Sequence, residues 1–287
     1  MKNYTAIDLF AGCGGLSLGL ENAGFESVYV NELNDDALES YLVNRDNKNP
    51  YLRERFNSND VKNMISNKKY ISSLIGDLKK TYNLDVNSGD LTLLAGGPPC
   101  QGYSGIGHRR TYSVDKEQIP SNFLYQDMAY LINKLNPKIF LFENVRGLLS
   151  ARWNTNGNKG EIWEDVRRTF DSLKNYDTSW SLVKAKDYGV PQNRPRVLFV
   201  GLRNDVKFDL NQSKTANGFL PDPSGTPPDP VDIFSDLIDP NYMKKFSTDK
   251  YIKPPRSEFQ IKMRKNGKKI LQKGDLLTDQ EYANHSD

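Results

Sequence analysis

The sequence predicts an α/β protein with a mostly parallel, twisted sheet and an antiparallel strand pair late in the chain. Three observations carry that prediction. Short apolar runs recur at residues 5–10, 27–31, 91–95, 138–142, 180–185 and 196–201, with helical patterns between most of them. The first run passes at once into a glycine turn and a helix, which is how a nucleotide-binding βαβ unit begins. The last two runs are joined by a short proline-stiffened stretch, Tyr188 to Pro195, suited to a hairpin-like pair.

In order, Thr5 to Phe10 is the first strand and Ala11-Gly12-Cys13-Gly14-Gly15 the turn, with a helix from Leu16 to a stop at Gly24. The spacing differs from the GxGxxG of dinucleotide sites. A second strand, Ser27 to Asn31, ends at Glu32, where an acid can accept hydrogen bonds from ribose hydroxyls. Asn34 is placed to cap the next helix, and Asn57 to Val61 forms a polar corner. Residues 61–90 are polar and lysine-rich, with one helix predicted from Ile71 to Tyr82.

The strand Leu91 to Ala95 runs into Gly96-Gly97-Pro98-Pro99-Cys100-Gln101-Gly102-Tyr103-Ser104. Two glycines and two prolines stop it abruptly and leave Cys100 on a stiff loop beyond the strand's carboxyl end, a position suited to a nucleophilic thiolate. The following Gly105 to Arg110, with His108, Arg109 and Arg110, is basic and reads as a lid for a phosphodiester backbone. A helix from Phe123 to Leu135 leads to the strand Lys138 to Phe142, and Glu143-Asn144-Val145 is expected just past its end. A carboxyl beside an apolar run has its charged form disfavoured and can serve as a proton donor. After a Gly/Asn-rich loop at 151–160 and a helix from Ile162 to Leu173 come the two late strands. Arg194 and Arg196, alternating with prolines on a stiff turn, read as anion or base contacts.

Composition sets the outer bounds. The chain has 287 residues, 37% hydrophobic and 26% charged, enough for one large domain or one plus part of a second. Two cysteines, Cys13 and Cys100, argue against a disulfide framework and for a reducing compartment. The few residues before Thr5 leave no room for a signal peptide and no apolar run is long enough to span a bilayer, so the expected location is the cytoplasm, with no membrane partner. A net charge of +3 does not by itself predict nucleic-acid binding, but Lys and Arg crowd residues 244–273. Five prolines between 221 and 230 read as a linker, which divides the chain into residues 1–205 and 206–287.

Together these stretches resemble the cytosine-5 DNA methyltransferases of bacterial restriction–modification systems, over residues 5–201 and in family order. Asp8-Leu9-Phe10-Ala11-Gly12-Cys13-Gly14-Gly15 is similar to the family's cofactor loop, Gly97-Pro98-Pro99-Cys100-Gln101 to its nucleophile loop, Glu143-Asn144-Val145 to its acid tripeptide, and Gln192-Asn193-Arg194-Pro195-Arg196 to its late arginine motif. The resemblance implies a Rossmann-like S-adenosylmethionine-dependent domain at 1–205. Its cofactor contacts would be Asp8, Phe10, Ala11, Gly12, Cys13, Gly14, Gly15, Glu32, Leu33, Asp60, Val61, Pro99 and Leu124. It implies Cys100, Glu143, Arg194 and Arg196 as catalytic residues, and Gln101, Ser104, His108, Arg109, Arg110, Asn144 and Gln192 at the nucleic acid, with no metal.

Nothing in residues 202–287 resembles the family's closing Gly-Asn-x-Val-Pro-like segment, so residues 206–287 read as a linker and an incomplete recognition region. The implied partners are double-stranded DNA, a second subunit carrying the remainder, and a cognate restriction endonuclease. Other readings stay open at this point: a cofactor- and DNA-binding fragment idle on its own, or a tRNA cytosine-5 methyltransferase. The glycine spacing and the Pro-Pro-Cys loop argue against a nicotinamide enzyme.

Overall fold

The structure, a computed structural model, describes residues 4–99, 120–207, 218–241, 246–278 and 280–281. The chain separates into two compact units, Met1–Val183 with Pro195–Asp222, and Lys184–Arg194 with Pro223–Asp287.

Seven strands organise the first unit, and helices between consecutive apolar runs make most of them parallel. The parallel strands are β1 (Tyr4–Leu9), β2 (Phe25–Asn31), β3 (Asn57–Ser58), β4 (Leu93–Gly96) and β5 (Ile139–Val145). β6 (Tyr176–Lys184) sits at the edge beside β7 (Pro195–Arg203), which runs antiparallel to β5. The order β3-β2-β1-β4-β5-β7-β6 turns back between β1 and β4. At such a switch point the connections leave in opposite directions and open a crevice at the strands' carboxyl ends.

The intervening helices are α1 (Gly15–Asn22), α2 (Asp35–Val43), α3 (Tyr51–Glu54), α4 (Val61–Ser66), α5 (Lys68–Tyr82), α6 (Leu124–Leu135) and α7 (Glu161–Asp171). Period-two alternation sends successive strand residues to opposite layers. Ala6, Leu93 and Ala95 pack with Leu16 and Leu20 of α1, while Ile7, Leu94, Phe140 and Phe142 belong to the larger core. That core includes Leu131, Ile132 and Leu135 of α6 and Trp163, Val166 and Phe170 of α7. Phe140 lies nearly parallel to Phe199, with ring centroids 6.2 Å apart. Each such ring removed from water contributes on the order of 2 kcal/mol.

Register fixes what reaches the crevice. Leu9 pairs with both Asn31 and Gly96, Asn31 with Ser58, and Gly96 with Phe142. Those residues form one row across the sheet. Phe10, Glu32, Asn59, Gly97 and Glu143 each stand one residue beyond it.

Two differences from the expected elements bear on the rim. Glu143 and Asn144 lie inside β5, because pairing with β7 continues as far as Val145 opposite Arg196. Between residues 61 and 90 there are two α-helices, since Asp60 and Asn67 each cap one by accepting a backbone N–H bond, from Lys62 and Lys69.

The second unit, by itself, is built from short elements. The 184–194 stretch is bridged to the proline-rich segment at Tyr188 and Gly225. α8 (Pro230–Phe234) begins with proline after an Asp229 cap, and α9 (Glu258–Met263) carries a Ser257/Gln260 capping box. Arg264 holds the buried Asp236 carboxylate at 2.8 Å, and β8 (Lys265–Asn266) with β9 (Lys269–Ile270) forms a small hairpin.

Candidate cofactor and catalytic site

At the end of β1 the chain turns through unusual backbone angles. Phe10 (φ 59°), Gly12 (φ 55°) and Gly14 (φ 89°) are all left-handed, a conformation that disfavours a side chain at Phe10 and suits the glycines. The turn closes through Gly14 N–H donating to Ala11 O at 3.0 Å, and Gly14 O then accepts the first helical bond of α1, from Leu18 N–H. Its two sides differ. A Cβ on Gly12 or Gly15 meets nothing within 4 Å, whereas one on Gly14 falls 2.6 Å from Tyr41 Cδ2 and 2.7 Å from Arg45 Nη1. The turn is thus packed behind Gly14 and open at Gly12 and Gly15, where Cys13 is exposed.

Glu32 is the hinge of this corner. One carboxylate oxygen accepts Gly12 N–H at 2.8 Å and the other Asn34 N–H at 2.9 Å, so the acid at the end of β2 is tied to the glycine turn. Asn31 donates to the backbone oxygens of Ser58 and Asn59, holding the corner that precedes Asp60. Leu33 projects into solvent, 69% exposed. Val61, expected beside Asp60 at the cofactor, faces the core at 3% exposure, because it opens α4 on the helix's inner side.

Asp8, expected to touch the cofactor, lies beneath the turn at 1% exposure. Its Oδ2 accepts from Ser17 Oγ at 2.6 Å, and Tyr41 donates to that same Ser17 oxygen at 2.8 Å. Burial pushes the Asp8 carboxyl up to about 7, while the Ser17 bond and the Arg45 charge pull it down.

Across the switch point, Gly97 and Pro98 continue β4. Glu143 stands on β5 so close that a Cβ on Gly97 meets its Oε2 at 3.1 Å. Arg196 on β7 brings Nε to 2.6 Å from Glu143 Oε1; the N–H is not aimed along that line, so the contact is an ion pair rather than a directed hydrogen bond. Asn144, expected at the nucleic acid, is 4% exposed and donates to Pro98 O at 3.2 Å, pinning the Pro98–Pro99 corner to β5. Its inward aim follows from strand alternation, since its neighbour Glu143 takes the opposite face.

Leu124 is the first residue of α6 and is partly buried against the core. Gln192 and Arg194 are exposed in the second unit, on a stretch closed by Arg194 N–H to Gln192 O at 2.9 Å and Ala185 N–H to Arg194 O at 3.2 Å. Cys100, Gln101, Ser104, His108, Arg109 and Arg110 lie outside the described residues. The sequence reading missed Ser17, Tyr41 and Arg45; Tyr41 lies in α2 and Arg45 in the turn just past its end.

The fold is that of solved methyltransferases. The Entamoeba histolytica methyltransferase EhMeth aligns over 86% of this chain and 63% of its own, with a TM-score of 0.52 at 19% identity. A Spodoptera frugiperda DNMT2 mutant aligns over 85% and 62%, with a TM-score of 0.50 at 22% identity. The family model for C-5 cytosine-specific DNA methylase matches residues 4–283, and the chain belongs to that family. It is 31% identical over 281 residues to the type II methyltransferase M.AgeI of Thalassovita gelatinovora, covering 92% of this chain and 58% of that protein. With M.DdeI of Desulfomicrobium norvegicum it is 33% identical over 199 residues, covering 69% of this chain and 40% of the relative. The chain therefore spans about half the length of these relatives.

Proposed function

We propose that the chain supplies the cofactor-binding and catalytic part of a DNA (cytosine-5)-methyltransferase, acting in the cytoplasm on double-stranded DNA. The observation that carries this reading is the single row at the switch point. Register sets the glycine turn, Glu32, Gly97 and Glu143 side by side at one rim, with Cys100 three residues past Gly97.

The cofactor site fits S-adenosylmethionine. Gly12 and Gly15 leave the turn open on one side, Glu32 offers a carboxylate at ribose height, and Asp60 and Leu33 flank the same corner. Bound there, the cofactor supplies an electrophilic methyl group. The chain's own residues do the rest. Cytosine C5 is a weak nucleophile until the Cys100 thiolate adds to C6, when the C5–C6 π electrons shift toward C5. Glu143 contacts N3 and the exocyclic amine and favours protonation at N3 as the C6–S bond forms. Arg196 braces Glu143, and Arg194 and Gln192 serve the base near O2 and the loop. Once C5 is methylated, loss of its proton returns the electron pair to the C5–C6 bond and the C6–S bond breaks. Such chemistry needs the base out of the helix, and Gln101, Ser104, His108, Arg109 and Arg110 are assigned to the nucleic acid.

The partners proposed with this reading are a second polypeptide carrying further recognition elements and a cognate endonuclease in the same system. Incubation with S-adenosylmethionine and DNA containing 5-fluorocytosine tests the core claim. A covalent adduct that Cys100→Ala abolishes is expected. A cofactor-bound protein that forms no adduct, alone or with the second polypeptide, overturns the methyltransferase reading.

A further inference from the structure

Behind the glycine turn lies a closed network of polar side chains that takes no part in the chemistry above. Arg45, two residues past the end of α2, has a side chain only 6% exposed. Its Nε contacts Glu21 Oε1 at 2.6 Å, its Nη1 donates to Tyr41 O at 3.1 Å, and its Nη2 donates to Gly14 O at 3.2 Å. The guanidinium lies over the Tyr41 ring, 3.8 Å from the centroid. Glu21 also accepts from Ser27 Oγ at 3.0 Å, and the Tyr41 hydroxyl continues through Ser17 to Asp8.

Burying an arginine and an aspartate behind one turn, with a half-buried glutamate beside them, is costly, and an apolar filling of the same volume is often at least as stable. The network's geometry shows what the arrangement achieves. Carbonyls on the packed side of a turn need donors of their own. Gly14 O has one donor in Leu18 N–H, and Arg45 is its second. The Tyr41 ring and Arg45 Nη1 fill the space where a Gly14 side chain would stand.

We propose that Arg45, seated on Tyr41 and Glu21, is a positioning residue for the cofactor. It fixes the left-handed Gly14 and so holds the Ala11–Gly15 turn in the shape that receives S-adenosylmethionine. The inference rests on the glycine turn being the cofactor site. Lysine cannot replace arginine here, because its single ammonium can serve Glu21 but lacks the planar fork that reaches Gly14 O and Tyr41 O together.

The experiment compares Arg45→Lys with the paired variant Glu21→Gln/Arg45→Met, which removes both members of that ion pair together, and with Arg53→Lys, whose partners Glu39 and Asp46 are on the surface. Calorimetric titration with S-adenosylhomocysteine, without DNA, is run at a temperature where circular dichroism shows every variant folded. Both Arg45 variants are expected to bind about tenfold more weakly, the scale of one lost charge-assisted hydrogen bond. Arg53→Lys should bind as the parent does. Amide exchange of residues 12–16 should quicken in the Arg45 variants, and in steady-state assays KM for S-adenosylmethionine should rise with kcat held.

Unchanged affinity in folded Arg45 variants overturns the clamp and leaves the cofactor reading intact. Failure of the parent chain itself to bind S-adenosylhomocysteine overturns the cofactor reading, and the clamp with it.

Discussion

Asp8 shows how a residue in a ligand-binding motif can serve from below. Its carboxyl is buried, faces Ser17, Tyr41, Arg45 and Glu21, and is pushed from the ordinary 3.8 up to about 7. The native chain therefore holds a proton between roughly pH 4 and 7 that the unfolded chain has released, and stability falls as pH rises through that window. Urea unfolding between pH 5 and 8 should show this decline, and Asp8→Asn, which mimics the protonated form, should flatten it. A parent and an Asn variant with parallel profiles would remove Asp8 as the cause. Glu143 tests a different property. Glu143→Gln should slow 5-fluorocytosine trapping by about 100-fold or more, the range for a positioned acid–base group. Affinity for S-adenosylhomocysteine should stay within about twofold; a lost affinity with normal trapping contradicts the role given to Glu143.

Glycines that look alike in α1 and its cap have opposite requirements at the scale of the element. Gly14→Ala forces a Cβ to 2.6 Å from the Tyr41 ring at a φ of 89°, and should cost about 2 kcal/mol or more and weaken cofactor binding. Gly19→Ala, at a helix-interior position with nothing within 4 Å, should stabilise by about 0.5–1 kcal/mol. Thermal melts of the two variants should move in opposite directions. The strand–turn–helix pattern was legible in the sequence because Gly12, Gly14 and Gly15 interrupt an apolar run. Tyr41 and Arg45 were not, because a buried arginine looks like a surface one until its partners are known. β3 is two residues long and α4 starts at a polar corner, so neither has enough periodicity to read. Glu143 was correctly found at the rim but placed past the strand, since only pairing with β7 shows that β5 runs on to Val145.

For the whole molecule, the chain's two units differ in how much the sequence revealed. The seven-stranded unit has long apolar runs; the second has α8 and α9 of five and six residues and a hairpin of two-residue strands. Such short elements are held by capping and by pairs such as Arg264–Asp236 rather than by a patterned core, and Ser257→Ala should cost about 1 kcal/mol in that unit's melting. The chain's activity on its own is a matter for the adduct experiment. An adduct from residues 1–287 alone makes them self-sufficient, and one that appears only when a second polypeptide is added makes the enzyme a split one.

The shared row at the sheet's rim also governs which changes of length the molecule can absorb. Phe10, Glu32, Gly97 and Glu143 each lie one position past a residue of that row, on four different strands. Removing one residue from any of those strands retracts its group by about 3.3 Å and turns it to the opposite face, while the other three stay put. Insertions and deletions in the connection between α5 and β4, or in the 151–160 loop, leave the row untouched. Length variation among working members should collect in those connections, and the strands leading to the rim should keep their residue count even where their side chains drift.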